Sequence, residues 1–295
     1  MKGSKTIRGL KDDPRLLTRV KLENYVFVHL GLRPCSQTTL PAELPNSKAL
    51  GESIDERTYP LLKRVRAISD PSKKRAAIDA VKREMRAAFK EIAEASDQYR
   101  AHFEWVKDLG LRSLQDEVRP TVRELYLFKE REVEKRLKRL MRERKKLRRQ
   151  ALKRPSPDLG RVQLAYPEEF KRGWLREIGE LLGYPRCCTE QYALDRGKGV
   201  SVEERAAQQI REAEQRGSVD PFAYFVGYFF PCNPDCDTAV SRGNECLESL
   251  REYAPYLGEL YASVVMENLD LVRHQPEIIA EYRARATKSF TRYEH

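Results

Sequence analysis

The segment from Lys129 to Arg154, KEREVEKRLKRLMRERKKLRRQALKR, decides our expectation for the fold. It holds 14 Lys and Arg against four Glu, a net charge of +10. The rest of the 295-residue chain contributes only +1 to the formal net charge of +11. The apolar residues of the segment recur at heptad spacing, which predicts an amphipathic helix that ends at Pro155: Val133, Leu137, Leu140, Leu147 and Ala151.

The same spacing continues upstream through Leu125, Val122 and Val118, so the helix is expected to begin near Leu114. A second heptad pattern runs from Ile78 to Val106, after a helix start at Asp70. Only a short break separates the two patterns. Two long helices with matching apolar seams and a short connection predict an antiparallel coiled-coil hairpin.

Three segments are therefore expected. Residues 1–70 form an N-terminal segment with a short strand at Tyr25–Leu30 and extended stretches, and residues 71–154 form the basic coiled-coil hairpin. Residues 155–295 form a compact all-α cysteine domain. In that domain Ser201 opens a helix with a capping box, and the chain is helical from Asp237 onward. The predicted fold class is mainly α.

Seven cations and no acid lie between Arg144 and Arg154, so this stretch repels itself unless a polyanion compensates it. Lys and Arg are sufficient for phosphate contacts, and the pattern therefore predicts a nucleic acid or a similar polyanion as the partner without naming a sequence. A membrane surface fits less well, because the apolar stripe is narrow and poor in aromatic residues. The predicted RNA-binding residues are Lys135, Arg136, Lys138, Arg139, Arg142, Arg144, Lys145, Lys146, Arg148, Arg149, Lys153 and Arg154.

Two cysteine motifs mark the C-terminal half. The first contains Cys187 and Cys188, and the second contains Cys232 and Cys236. Each motif places two thiols on a proline-marked turn ahead of a predicted helix, where the helix N-terminus favours the thiolate that binds metal. Four such sulfurs suit a tetrahedral zinc ion, with an iron–sulfur cluster as the alternative.

Other arrangements stay open at this point. Adjacent cysteines rarely give both sulfurs to one ion, so three thiolates could be completed by Asp237, His274 or water. Such an open position would allow catalysis. Buried free thiols or a disulfide between the turns are further alternatives. Cys35 and Cys246 are interpreted as ordinary core thiols.

The motifs Gly183-Tyr184-Pro185-Arg186-Cys187-Cys188 and Pro231-Cys232-Asn233-Pro234-Asp235-Cys236, followed by Ser241 and Gly243, carry a resemblance. Over about residues 165–295 the chain resembles an archaeal family of uncharacterised proteins with paired GYPxCC and PCxPxC motifs. The resemblance implies an archaeal source, a cytosolic location and four cysteines that belong together. It implies no reaction and no particular metal.

Several function classes find no support in the sequence. Nucleotide-binding loops, a nucleophile elbow and an HExxH zinc motif are absent from it, and no small-molecule substrate is identified. The longest apolar stretch, Phe222–Phe230, is too short to span a membrane. The N-terminus lacks the apolar core of a secretory signal, so a cytoplasmic protein is expected.

These patterns lead to one main hypothesis. The protein binds RNA and the ribosome, inserts its basic hairpin into a cleft lined by ribosomal RNA, and holds ribosomes in dormancy (hibernation) by occlusion. One alternative is a metal-dependent enzyme that acts on RNA or tRNA at the cysteine-ligated centre. Another is a coiled-coil adaptor for an acidic protein.

Overall fold

A computed structural model describes residues 2–153, 163, 165–281 and 284 of the chain. The fold is mainly helical, as predicted, and it contains one small antiparallel sheet. The chain divides into two compact units, Met1–Lys135 and Arg136–His295. This division differs from the three predicted segments. In the described part of the chain, no helix combines the length and the apolar character that crossing a bilayer requires.

The first unit combines helices with the three-stranded sheet. Its helical elements are α1 (Lys2–Asp12), α2 (Thr18–Val20), the π-helix Lys21–Val26, α3 (Phe27–Leu30), α4 (Ser47–Arg66), α5 (Pro71–Ala88), the π-helix Phe89–Ala93 and α6 (Asp97–Asp108). Its strands are β1 (Cys35–Leu40), β2 (Arg112–Arg119) and β3 (Val122–Phe128). The strand order is β1-β3-β2, all antiparallel, with Cys35 opposite Phe128.

The coiled-coil hairpin predicted for residues 71–154 is not confirmed. Residues 114–128, expected as the first part of the second long helix, instead lie in the hairpin of β2 and β3. Gly110 ends the preceding helical region with a φ of 64°, and Arg119 pairs with Val122 across a tight turn that contains Pro120. Helix α5 packs against α4. The spacing of Val118, Val122 and Leu125 fitted a helix by coincidence, and pairing with β1 stabilises a strand instead.

The strand predicted at Tyr25–Leu30 is also wrong. These residues are helical, and the strand of the N-terminal segment is Cys35–Leu40. Tyr25, Phe27 and Val28 are buried, so the apolar run is a core segment as expected. A short apolar run fits a buried helix as well as a buried strand, and its pattern alone does not distinguish them.

The second unit is built from helices. Helix α7 (Arg131–Lys153) begins in the first unit and continues into the second. The other elements are the 3-10 turn Pro167–Phe170, α8 (Arg172–Leu181), α9 (Arg186–Lys198), α10 (Val202–Arg216), the 3-10 turn Pro221–Tyr224, α11 (Asp237–Tyr253) and α12 (Pro255–Arg273), and residues 275–281 are helical as well. Ser201 caps α10 by accepting the Glu204 amide at 3.2 Å, which confirms the serine half of the predicted capping box.

Aromatic side chains form the core of the second unit. The rings of Phe225 and Phe229 lie 4.8 Å apart, and Tyr184 contacts both. The Tyr261 hydroxyl donates to the Phe225 carbonyl at 3.0 Å. Gly243 of α11 is required by close packing, because a Cβ at this position would collide with the backbone of Phe222. The contact of Gly243 holds the second turn of α11 against the 3-10 turn Pro221–Tyr224.

Candidate functional site

The four motif cysteines converge in the second unit, at the start of two helices. Cys187 and Cys188 lie in the first turn of α9, and Cys236 immediately precedes α11. Cys232 lies in the loop before Cys236. Cys188 and Cys236 are buried, Cys232 is partly buried and Cys187 is exposed. The proline turns at Pro185 and Pro231 therefore bring both motifs to one place.

The sulfur positions fit one metal ion. The Sγ atoms of Cys187 and Cys236 lie 3.6 Å apart, as do those of Cys188 and Cys236, and the Cys187 and Cys188 sulfurs lie 3.8 Å apart. All four sulfurs lie within 4.8 Å of one another. Sulfurs at about 2.3 Å from a tetrahedral ion are about 3.8 Å apart. The four cysteines could therefore hold a single metal ion between them.

The adjacent pair Cys187 and Cys188 both contribute to the cluster, although adjacent cysteines were expected to share an ion rarely. Among the described residues the cluster consists of the four sulfurs, and neither Asp237 nor His274 belongs to it. Asp237 is exposed at the start of α11. The Nδ1 atom of His274 lies 3.3 Å from a carboxylate oxygen of Asp270. All six cysteines of the chain are free of disulfides, and Cys35 and Cys246 are fully buried core thiols outside the cluster.

Burial makes thiolates costly in this cluster. It raises the pKa of Cys188 well above the usual value and raises the pKa of Cys232 to about 11. At Cys187 burial acts in the same direction, but hydrogen bonds from Cys236 and Cys188 outweigh it and lower the pKa. A bound cation would favour the deprotonated form of all four thiols, because metal binding releases their protons.

A second layer of polar residues holds the loop of Cys232, and the sequence analysis missed it. Arg205 donates from Nη1 to the carbonyl oxygens of Pro231 and Cys232, both at 3.2 Å. Its Nε forms an ion pair of 2.7 Å with the buried Asp195. The Cys232 amide donates to Cys188 Sγ at 3.4 Å. No motif links these positions, because Arg205 and Cys232 are 27 residues apart and meet only in the fold.

Helix α7 is anchored in the second unit by its apolar side. Leu137 and Leu140 are buried, and Trp174 donates from Nε1 to the Leu140 carbonyl at 3.3 Å. Three of the predicted RNA-binding residues are buried or form ion pairs with acidic residues of the second unit. Arg144 is 3% exposed. Arg136 forms ion pairs with Glu177 and Glu180, and Arg148 pairs with the buried Glu168.

The opposite side of α7 is exposed and cationic. We define the basic surface as the seven exposed cations that α7 contributes within the second unit: Lys138, Arg139, Arg142, Lys145, Lys146, Arg149 and Lys153. At 100° per residue they fall within an arc of about 120°. Arg139 also pairs with Glu177. Lys135, one residue before the second unit, is exposed and pairs with Glu132 at 3.1 Å. Arg154 lies outside the described residues.

A family model described as "Protein of unknown function (DUF483)" matches residues 158–260. The chain is similar to that family over this stretch, about a third of its length, which contains both cysteine motifs. No curated protein and no solved structure matches the chain. The similarity assigns no reaction, so the function has to be argued from the cluster and the basic surface.

Proposed function

We propose that this protein is a zinc-containing RNA-binding protein, with ribosomal RNA as its partner. The basic surface carries the proposal. Seven exposed cations lie on one side of a single helix, and the exposed carboxylate of Glu143 lies about 40° beyond the edge of that side. Phosphates of another molecule would relieve their mutual repulsion.

Two acids of the second unit pair with arginines on the flanks of α7. Glu168 pairs with Arg148, and Glu180 pairs with Arg136, on the two flanks of the helix. These pairs fix the helix to its own unit. The seven cations of the basic surface are exposed beside these pairs, and Arg139 also contacts Glu177.

The binding mode proposed here differs from the one that the sequence predicted. Insertion into a deep cleft required a two-helix rod, and the structure has a β-hairpin within that segment. The proposal therefore rests on surface contact between α7 and RNA phosphates. Ribosomal RNA is the proposed partner because the ribosome presents the largest phosphate surface in a cell. Occlusion of a ribosomal site during dormancy is the last step of the proposal.

Sedimentation tests this proposal. The full chain is expected to travel with ribosomal particles in a gradient at low salt and to leave them as salt rises, with a slope near −6 if all seven cations meet phosphates. Reversing Lys138, Lys145, Lys146 and Arg149 to Glu should abolish cosedimentation. A control reverses four exposed cations of α5, Lys73, Lys74, Arg75 and Lys82, and should cosediment like wild type. Binding that ignores salt, or equal loss in both variants, would refute the proposal.

We also propose that the metal is zinc and that its role is structural. Three of the sulfurs lie 3.6–3.8 Å apart and all four lie within 4.8 Å of one another. Four thiolates at this spacing would fill the tetrahedron around one zinc ion and leave no open position for a substrate. In an iron–sulfur cluster the four cysteines are divided among two or four irons, so the four sulfurs are spread more widely than around a single ion. Elemental analysis should give one zinc per chain. Iron with visible absorption, or a coordination spectrum with an open site, would instead favour the metal-dependent enzyme.

A further inference from the structure

We infer that the basic surface recognises double-stranded RNA, and that it contacts two phosphate backbones at once. The inference rests on the proposed function and narrows its substrate class. It starts from the distribution of the seven cations around α7. Around the helix axis these cations lie at even steps of about 20°, with Arg142 at the centre. We call the three on one side of Arg142 one row (Lys138, Lys145 and Arg149) and the three on its other side the second row (Arg139, Lys146 and Lys153).

The two rows suit the two strands of a duplex. Their outermost members diverge by about 120° on a helix about 10–12 Å wide, so the long side chains can reach backbones on both sides of a groove. The basic surface is about 23 Å long. A duplex of nucleic acid presents about 13 phosphate charges over that length, more than enough to engage every cation.

The chemistry of α7 disfavours single-stranded RNA. Proteins that bind single strands stack bases on aromatic side chains, and each stacked base contributes about 1–3 kcal/mol. Helix α7 contains no aromatic residue. Its exposed side offers cations, which are suited to phosphates, and Gln150, Leu152 and Glu143 lie beside them.

The rigidity of α7 supports the same ligand. Its buried side is fixed by Leu137 and Leu140, by the hydrogen bond from Trp174, and by the contact of Arg148 Nε with Glu168 at 3.0 Å. The cations are therefore held in a straight array before binding. A duplex is straight and rigid as well, whereas a single strand would lose conformational entropy when it is ordered along the array.

Fluorescence anisotropy with the full chain tests the inference. The probes are two labelled RNA duplexes of about 20 base pairs with unrelated sequences, and the separated strands of each. Both duplexes should bind equally and about tenfold tighter than the strands at low salt. Strands that bind as tightly as the duplexes, or a tenfold difference between the duplexes, would overturn the inference while RNA binding stands. If no probe binds, the proposed function itself fails.

Matched variants test the two rows separately. K138Q/K145Q removes two lysines from one row and K146Q/K153Q removes two from the other, while K73Q/K74Q on α5 is the control. Each row variant should reduce the magnitude of the salt slope for binding to duplex RNA by about 2, and the control should leave the slope unchanged. Circular dichroism and metal content show that the variants are folded. Loss confined to one row would mean that a single strand is contacted, against the inference.

Discussion

The Sγ atoms of Cys188 and Cys236 lie 3.6 Å apart, although 48 residues separate these cysteines in the chain. Cys188 belongs to the first turn of α9, and Cys236 precedes α11. A metal ion bound here would connect two helix starts and the intervening loop. Because the unfolded chain does not preform such a site, the free energy of metal binding would contribute directly to folding.

The first prediction concerns Cys236. C236S removes one of the four sulfurs from the cluster and should lower the metal affinity by about a hundredfold or more. This loss corresponds to about 3 kcal/mol of binding free energy. The stability of the second unit should fall with it. Elemental analysis and thermal unfolding with and without a chelator measure both effects.

Cys246 provides the matched control, because it is fully buried on α11 but lies outside the cluster. C246A should lower the free energy of unfolding by about 1 kcal/mol, because packing contacts are lost, and the variant should still bind the metal. If C236S retained one metal per chain with wild-type stability, the cluster would not be a metal site.

The second prediction concerns Arg205, which supports the Cys232 loop through two carbonyl oxygens. R205Q leaves all four sulfurs in place but removes the charged support. Metal affinity should fall about 10–100-fold, as is usual when an outer partner of a metal ligand is lost. Competition against a chelator measures the affinity. R211Q, at an exposed position of the same helix α10, should bind metal like wild type, and an R205Q affinity equal to it would contradict the prediction.

The third prediction concerns the anchor of α7. Glu168 is 2% exposed and pairs with Arg148, whose side chain is 19% exposed. E168Q leaves Arg148 without its charged partner and should cost about 2–3 kcal/mol, somewhat less than the loss of a fully buried pair. Urea unfolding measures the change. E180Q is the control, since the 70%-exposed Glu180 also pairs with an α7 arginine and should cost less than about 1 kcal/mol. If E168Q and E180Q lowered the free energy of unfolding by the same amount, Glu168 would not anchor α7.

Local signals in the sequence predicted much of the second unit. Ser201 caps its helix as expected, and the chain from Asp237 onward forms α11 and α12 as predicted. The cysteine cluster was also predictable, because each motif places its thiols on a short turn. These features depend on a few consecutive residues, and capping and turn chemistry act at that range.

Contacts distant in sequence were not predictable in this way. Val122 and Leu125 fit a helical spacing, yet β3 forms because it pairs with β1, and Leu125 lies opposite Thr38. The burial of Arg144 was not predictable either, since a charged residue in a basic run is expected at the surface. The support of the Cys232 loop by Arg205 depends on tertiary packing alone. Periodicity reports which side of a helix is apolar and leaves the packing partner undefined.

The last prediction concerns pH and the buried His102 in the first unit. His102 is fully buried, its Nδ1 lies 2.7 Å from the Tyr25 hydroxyl, and its Nε2 has no hydrogen-bond partner among the described residues. Burial lowers the pKa of His102 from 6.5 to about 4. The unfolded chain therefore takes up a proton at a higher pH than the folded protein. The stability from the neutral imidazole is fully present above pH 6.5 and is lost progressively as the pH falls toward 4 and below, by up to about 3 kcal/mol. Asp13, whose pKa the hydrogen bond from Arg15 lowers to about 2, contributes to the pH dependence of stability at lower pH.

The variant H102N should flatten the pH dependence of the free energy of unfolding between pH 6.5 and pH 4. Urea unfolding followed by Trp105 fluorescence in a W174F background measures it, and equal slopes with and without His102 would disprove the assignment.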